Sequence, residues 1–144
     1  MVAPGEIYAH DEFYEDEKTG RLLPKYLLIL AAPRKDDIVY RLLTSRQNSR
    51  PKDPCCYHGN PLPGYFLGEQ LGGPLAEPTW LDLRKLQDYD ADTFSTKAKN
   101  GSIRLVVVLP TPRLRDVLNC AAAADDTSTR QERCIRDFVA QLPR

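Results

Sequence analysis

The chain has no excess of either charge, since 20 basic residues stand against 20 acidic ones in 144. That balance excludes a strongly cationic nucleic-acid coat and leaves room only for a local basic patch. No apolar run approaches the roughly 20 residues that a bilayer-spanning helix requires. The opening residues, Met1-Val2-Ala3-Pro4-Gly5-Glu6, lack the basic start and apolar centre of a secretory signal, so a soluble, cytoplasmic protein is expected. Cysteines are few: Cys55, Cys56, Cys120 and Cys134. A chain of this size without an export signal does not need disulfide staples, and free thiols are the expectation. There is no Gly-x-Ser-x-Gly elbow and no phosphate-cradling glycine loop ahead of Lys-Ser/Thr. Cys55-Cys56 with His58 do not make the spaced pairs of a zinc site, so neither a metal nor another cofactor is expected.

What is present reads as one globular domain over 1–144, 42% hydrophobic and 28% charged, with no internal repeat. Glu6 to His10 is a short strand, followed by a polar loop over Asp11 to Lys18 and a turn at Thr19-Gly20. Lys25 to Ala32 (KYLLILAA) is a continuous apolar run of strand length between Pro24 and Pro33, which suits a buried central strand. Ile38 to Thr44 follows a short polar connection and should pair with it antiparallel. From about 46 to 73 the pattern dissolves into a long loop, broken only by a strand at Gly64 to Gly68; such loops are often functional or disordered. Thr79 to Lys85 alternates Leu81 and Leu83 with Asp82 and Arg84, placing Trp80 on the polar face. Asp90 to Lys99 predicts a short helix with Phe94 inward, and Ile103 to Leu109 a last strand. Helices occupy about 112–142: one with Thr111 as its capping hydroxyl, carrying Leu114, Val117, Leu118 and Ala121, and one opened by a Ser128/Gln131 capping box, carrying Ile135, Phe138, Val139 and Leu142. Strands first and helices last is the α+β pattern.

Arg46, Arg50 and Lys52 share the long loop with Tyr57, Tyr65 and Phe66. Cations mixed with rings are what single-stranded RNA binders use for phosphate contact and base stacking. The plainer account is that Tyr65 and Phe66 fill the core while the charges sit in water.

The order Gly5-Glu6-Ile7-Tyr8, a polar loop with a glycine, KYLLILA, a second strand ending in LLTS, a strand containing LDL, and C-terminal helices resembles the PemK/MazF family of toxin endoribonucleases. The resemblance implies a small antiparallel SH3-like β-barrel with C-terminal helices, a homodimer, an antitoxin protein as partner, and metal-independent cleavage of single-stranded RNA. The family carries an arginine, usually followed by proline, just before its second apolar strand. Here the nearest equivalent is Lys25, followed by Tyr26, with Arg21 a little upstream. The family's Thr or Ser at the end of the third strand matches Thr44, with Ser45 adjacent. A guanidinium grips phosphate through a rigid fork of donors, whereas lysine offers a mobile point charge, so the replacement bears directly on activity.

RNA carries its own nucleophile in the 2′-hydroxyl, so a protein need only position it, move a proton and stabilise charge gathering at phosphorus. Lys25 or Arg21 would supply the charge, Thr44 or Ser45 a hydrogen bond to a phosphate oxygen. His58 would move the proton because its ordinary pKa lies near neutrality, an assignment read from chemistry rather than from the resemblance. Each has a bland counterpart: a lysine at a strand start is usually solvated, Thr44-Ser45 can simply close a turn, and His58 sits in a loop like an ordinary surface histidine. The alternative to an endoribonuclease is a non-catalytic SH3-like module that binds protein or RNA through Tyr57, Tyr65, Phe66 and Trp80.

Overall fold

A computed structural model describes residues 2–34 and 36–143. In chain order the elements are β1 (Glu6–Glu15), β2 (Leu22–Ala31), β3 (Val39–Thr44), β4 (Cys56–Tyr57), β5 (Gly64–Gly68), β6 (Thr79–Asp82), α1 (Ala91–Lys99), β7 (Ile103–Val108), α2 (Thr111–Ala122) and α3 (Thr129–Val139). The architecture is α+β, as the order of elements predicts. Seven antiparallel strands lie in the order β4-β5-β6-β3-β2-β1-β7. Among the described residues no ladder joins β7 to β4, so hydrogen bonds do not close the sheet into a barrel. No helix among them is long and apolar enough to cross a membrane.

The Leu27–Ala31 half of β2 is apolar without interruption because both of its faces are covered. Leu28 and Leu30 pack with Ile7, Val39, Val117, Leu118 and Ile135 under α2 and α3. Leu27 and Ile29, one residue out of phase, pack with Tyr8, Ile38, Tyr40, Phe94 and Ile103 under α1. All four β2 residues are fully buried, and each contributes about 1.5–3 kcal/mol through burial. The helices are placed by their own signals. Asp90 accepts the Thr93 N–H at the start of α1, and Ser128 and Gln131 form the reciprocal capping box of α3.

Several local expectations are corrected. β1 does not stop at His10 but runs through the acidic segment to Glu15, paired with β2 across a register break between His10 and Tyr14. Pro24 lies inside β2, opposite that break, where its missing N–H removes no ladder bond. The helix over 111–122 is capped by Pro110 with no side-chain hydrogen bond, so Thr111 is its first residue and not its cap. Trp80 is buried, 2% exposed, and donates its Nε1–H to the Pro51 carbonyl at 3.0 Å. The alternation of β6 implies an open face, but residues 50–52 of the long loop fold across it. The loop itself contains β4, paired to β5 through Cys56–Tyr65 and Tyr57–Gly64. The thiols are not all free: Cys56 and Cys120 form a disulfide across 64 residues, leaving Cys55 and Cys134 unpaired. Spacing along the chain gives no sign that β4 and α2 are neighbours.

His10, only 2% exposed, is held neutral beneath α1. The Glu12 N–H donates to its Nδ1 at 3.3 Å, which leaves Nε2–H to donate to the Tyr89 hydroxyl at 2.8 Å. Burial, aided by the Lys97 charge, lowers its pKa below the ordinary 6.5 against the opposing pull of Asp11 and Glu12. The folded chain therefore takes up this proton less readily than the unfolded chain. The contribution of neutral His10 to stability is complete above pH 6.5 and is lost as the pH falls from there towards the lowered folded value. Thermal unfolding followed by circular dichroism should show a midpoint that declines between about pH 7 and 5, and His10→Gln should flatten that decline.

Candidate functional site

A pocket of about 480 Å³ opens where the start of β2 and the end of β3 meet the turn after β3, the 74–79 connection and the end of β6. Lys25, Thr44, Ser45, Arg46 and Arg50 all line it. They arrive from different elements. Lys25 stands opposite His10 in the β1–β2 ladder, just outside the buried run, and its Nζ lies 5.6 Å from the Tyr14 ring centroid. Thr44 pairs with Trp80 at the end of β3. Its Oγ1 accepts the Arg46 N–H at 3.1 Å, the turn-closing use of such a hydroxyl, while the hydroxyl hydrogen stays free to donate.

Arg50 is the buried member, 2% exposed. The turn before it is tight: Arg50 N–H donates to the Gln47 carbonyl at 2.8 Å, and Gln47 Nε2 returns a bond to the Arg50 carbonyl at 2.8 Å. Asn48 and Ser49 occupy the left-handed region at φ 46° and 71°, a conformation that serine adopts at a cost. The guanidinium then folds back, donating to the carbonyls of Arg46 at 3.0 Å and Pro63 at 3.4 Å, and its Nη2 lies 3.7 Å from Asp82. Burial lowers its pKa, partly offset by Asp82.

The lining carries Lys25, Arg46, Arg50 and Arg84 against Glu77 and Asp82. Asp82 is already engaged: Arg84 Nη2 reaches it at 2.6 Å, beside Arg50. Burial raises the Asp82 carboxyl, but hydrogen bonds from the Arg84 side chain and backbone, with the charges of both arginines, outweigh it and hold the group below its ordinary range. Glu77 makes no ion pair among the described residues. The pocket is thus a net positive concavity with hydroxyl donors on one rim, suited to an anion. Asp82 and Arg84 were legible as two polar residues on one face of a strand, but nothing in the sequence connects them, Glu77 or Tyr14 to this pocket.

The other sequence candidates lie elsewhere. Arg21 is exposed ahead of β2 and does not line the pocket. His58 packs against the Cys56–Cys120 disulfide, with Nε2 2.9 Å from the Cys120 carbonyl oxygen. Lys52 pairs with Glu69 at 3.4 Å and covers the Phe66 ring. Tyr57 stands on β4 with its hydroxyl directed to the Asn60 carbonyl. Tyr65 is 1% exposed in the larger core and donates its hydroxyl to Asp116 of α2. Burial, then that hydrogen bond, raises its pKa far above the usual tyrosine value.

Gly64 makes the seat of Arg50. A Cβ there would stand 2.6 Å from Arg50 Cδ and 3.1 Å from the Leu81 carbonyl oxygen. Gly64→Ala should cost about 1–3 kcal/mol in denaturant unfolding through overpacking. In an Arg50→Ala background the same change should cost less, so that a double-mutant cycle returns a coupling of about 0.5 kcal/mol or more.

Comparison of the chain with family models, with curated proteins and with solved structures finds no match in any of the three, so function is read from the chemistry of this pocket.

Proposed function

We propose that this protein is a metal-independent endoribonuclease of PemK/MazF type that cleaves single-stranded RNA in the Lys25–Thr44 pocket, with an antitoxin as partner and a homodimer as the working form. The observation that carries the reading is the convergence of Lys25, Thr44, Ser45, Arg46 and Arg50 on one concavity, although they come from β2, β3 and the turn after β3. An SH3-like barrel belongs to the same proposal. It is supported by the way the Gly72-Gly73 turn lies against β7: a methyl at Gly73 would be 3.4 Å from the Val106 carbonyl oxygen. A contact between the β5–β6 connection and β7 is what a sheet curling towards closure would make.

In this reading the RNA backbone lies across the positive lining. Lys25 and Arg46 meet the phosphate oxygens, and Thr44 or Ser45 donates a hydrogen bond to one of them. The 2′-hydroxyl oxygen attacks the adjacent phosphorus and gives up its proton, while the bond from phosphorus to the 5′-oxygen breaks and that oxygen takes a proton from water, leaving a cyclic phosphate end and a 5′-hydroxyl. Glu77 lines the pocket and pairs with no cation among the described residues, so it, rather than the distant His58, would take the 2′-hydroxyl proton. Arg50 is spent on backbone carbonyls and Asp82, so it shapes the pocket and adds charge more than it grips a ligand.

A second reading is favoured by one specific observation: no imidazole lines the pocket. A non-catalytic module binding RNA by phosphate contact alone would need nothing more. Purified protein incubated with a mixed-sequence single-stranded RNA and a chelator separates the two. The nuclease should leave cyclic-phosphate ends, and Lys25→Ala should slow cleavage by about 100-fold or more, the loss of one charge-stabilising donor. Binding without any cleavage by the wild-type chain would establish the module instead.

A further inference from the structure

Away from this pocket, β4 and α2 enclose a second group of side chains that the proposed activity does not use. Cys56 and Cys120 are bonded to one another, and His58 Nε2 stands 3.5 Å from both sulfurs. The ligating atoms of the three lie within 4.8 Å of one another. We propose that Cys56, His58 and Cys120 form a zinc-class metal site that becomes available when the disulfide is reduced.

Tetrahedral geometry supports this. With zinc–sulfur and zinc–nitrogen bonds of about 2.3 and 2.05 Å, sulfur and nitrogen ligands sit about 3.6 Å apart and two sulfurs about 3.8 Å. The imidazole nitrogen already holds that spacing to each sulfur, so the sulfurs need only part from one another. The backbone offers the mobility: β4 has two residues and stands at the edge of the sheet, while α2 is fixed by Val117 and Leu118 in the core. Two thiolates and an imidazole are a donor set for a borderline-soft divalent ion, and His58, exposed at the rim, leaves the fourth position to water. Cys55 is directed elsewhere, with its Sγ 3.8 Å from Asp116 Oδ2. Cys55, Cys56 and His58 alone lack the spacing of a zinc site, and the completing ligand, Cys120, is a further 62 residues along the chain from His58.

The chemistry balances as two separate steps. A thiol or phosphine reductant supplies two electrons, and two protons complete the thiols of Cys56 and Cys120. Zinc then displaces both thiol protons, while the His58 proton moves from Nε2 to Nδ1 and the bond to the Cys120 carbonyl is given up. Disulfide and metal are therefore mutually exclusive, yet both fasten the 46–63 segment, which carries Arg46 and Arg50 of the pocket, to α2.

The test uses the full chain, reduced with a phosphine and freed of it under anaerobic conditions, then titrated with zinc against a chromophoric chelator and with cobalt(II). The reduced chain should bind about one zinc and release about two protons, and the cobalt form should show tetrahedral thiolate absorption. The oxidised chain should bind none. His58→Ala, at an exposed position that spares the core, should weaken binding by about tenfold or more, with folding checked by circular dichroism. Cys55→Ser and Cys134→Ser should change nothing. Failure of the reduced, folded chain to bind zinc at about 10 µM overturns the proposal, as does binding that survives His58→Ala undiminished or is lost with Cys55→Ser or Cys134→Ser.

Discussion

Everything in this molecule is referred to the burial of β2 on both faces. Leu28 and Leu30 are locked into the core beneath α2 and α3, and Leu27 and Ile29 into the core beneath α1. A slip of one residue would exchange these two sets, so the register of β2 against β1 and β3 is fixed. That fixes where the strand leaves the core, and Lys25 is the residue found there. The same argument runs through β3, where Val39 and Leu43 face one core and Tyr40 the other, and delivers Thr44 to the same end of the sheet. The pocket is a consequence of where two buried strands stop.

The remaining wall comes from a segment with little regular structure. Residues 46–50 make one tight turn, and the buried Arg50 folds back to satisfy carbonyls that a loop would otherwise leave to water. Its charge is balanced at Asp82, which also holds Arg84. A buried cation of this kind is retained for shape as much as for stability, since replacing one partner strands the other. It links the turn after β3 to the end of β6, two walls of the pocket.

Much of this was legible from the sequence. The apolar runs over 25–32 and 38–44, the capping box at Ser128, and Phe94 as the inward residue of α1 follow from periodicity and capping chemistry. Lys25, Thr44 and Ser45 share a pocket because the apolar runs of β2 and β3 end on the same side of the sheet, although β2 itself continues three residues past Lys25 to Leu22. What escaped were relations between distant segments. Trp80 reads as exposed until the 50–52 segment covers it. His58 reads as a proton carrier until β4 carries it to α2, and Cys120 offers no hint of Cys56. Pattern reading sees neighbours along an element, whereas these contacts are set by loop paths.

The central claim is that the positive concavity at the ends of β2 and β3 is where RNA binds, and a backbone-amide NMR titration with a short single-stranded RNA tests it most directly. The account predicts shifts concentrated at Lys25, Thr44, Ser45, Arg46 and the 74–79 connection, and weakened by added salt as phosphate contacts are. Shifts confined to the α1 side of the sheet or to α2 and α3, with those residues unmoved, would contradict it.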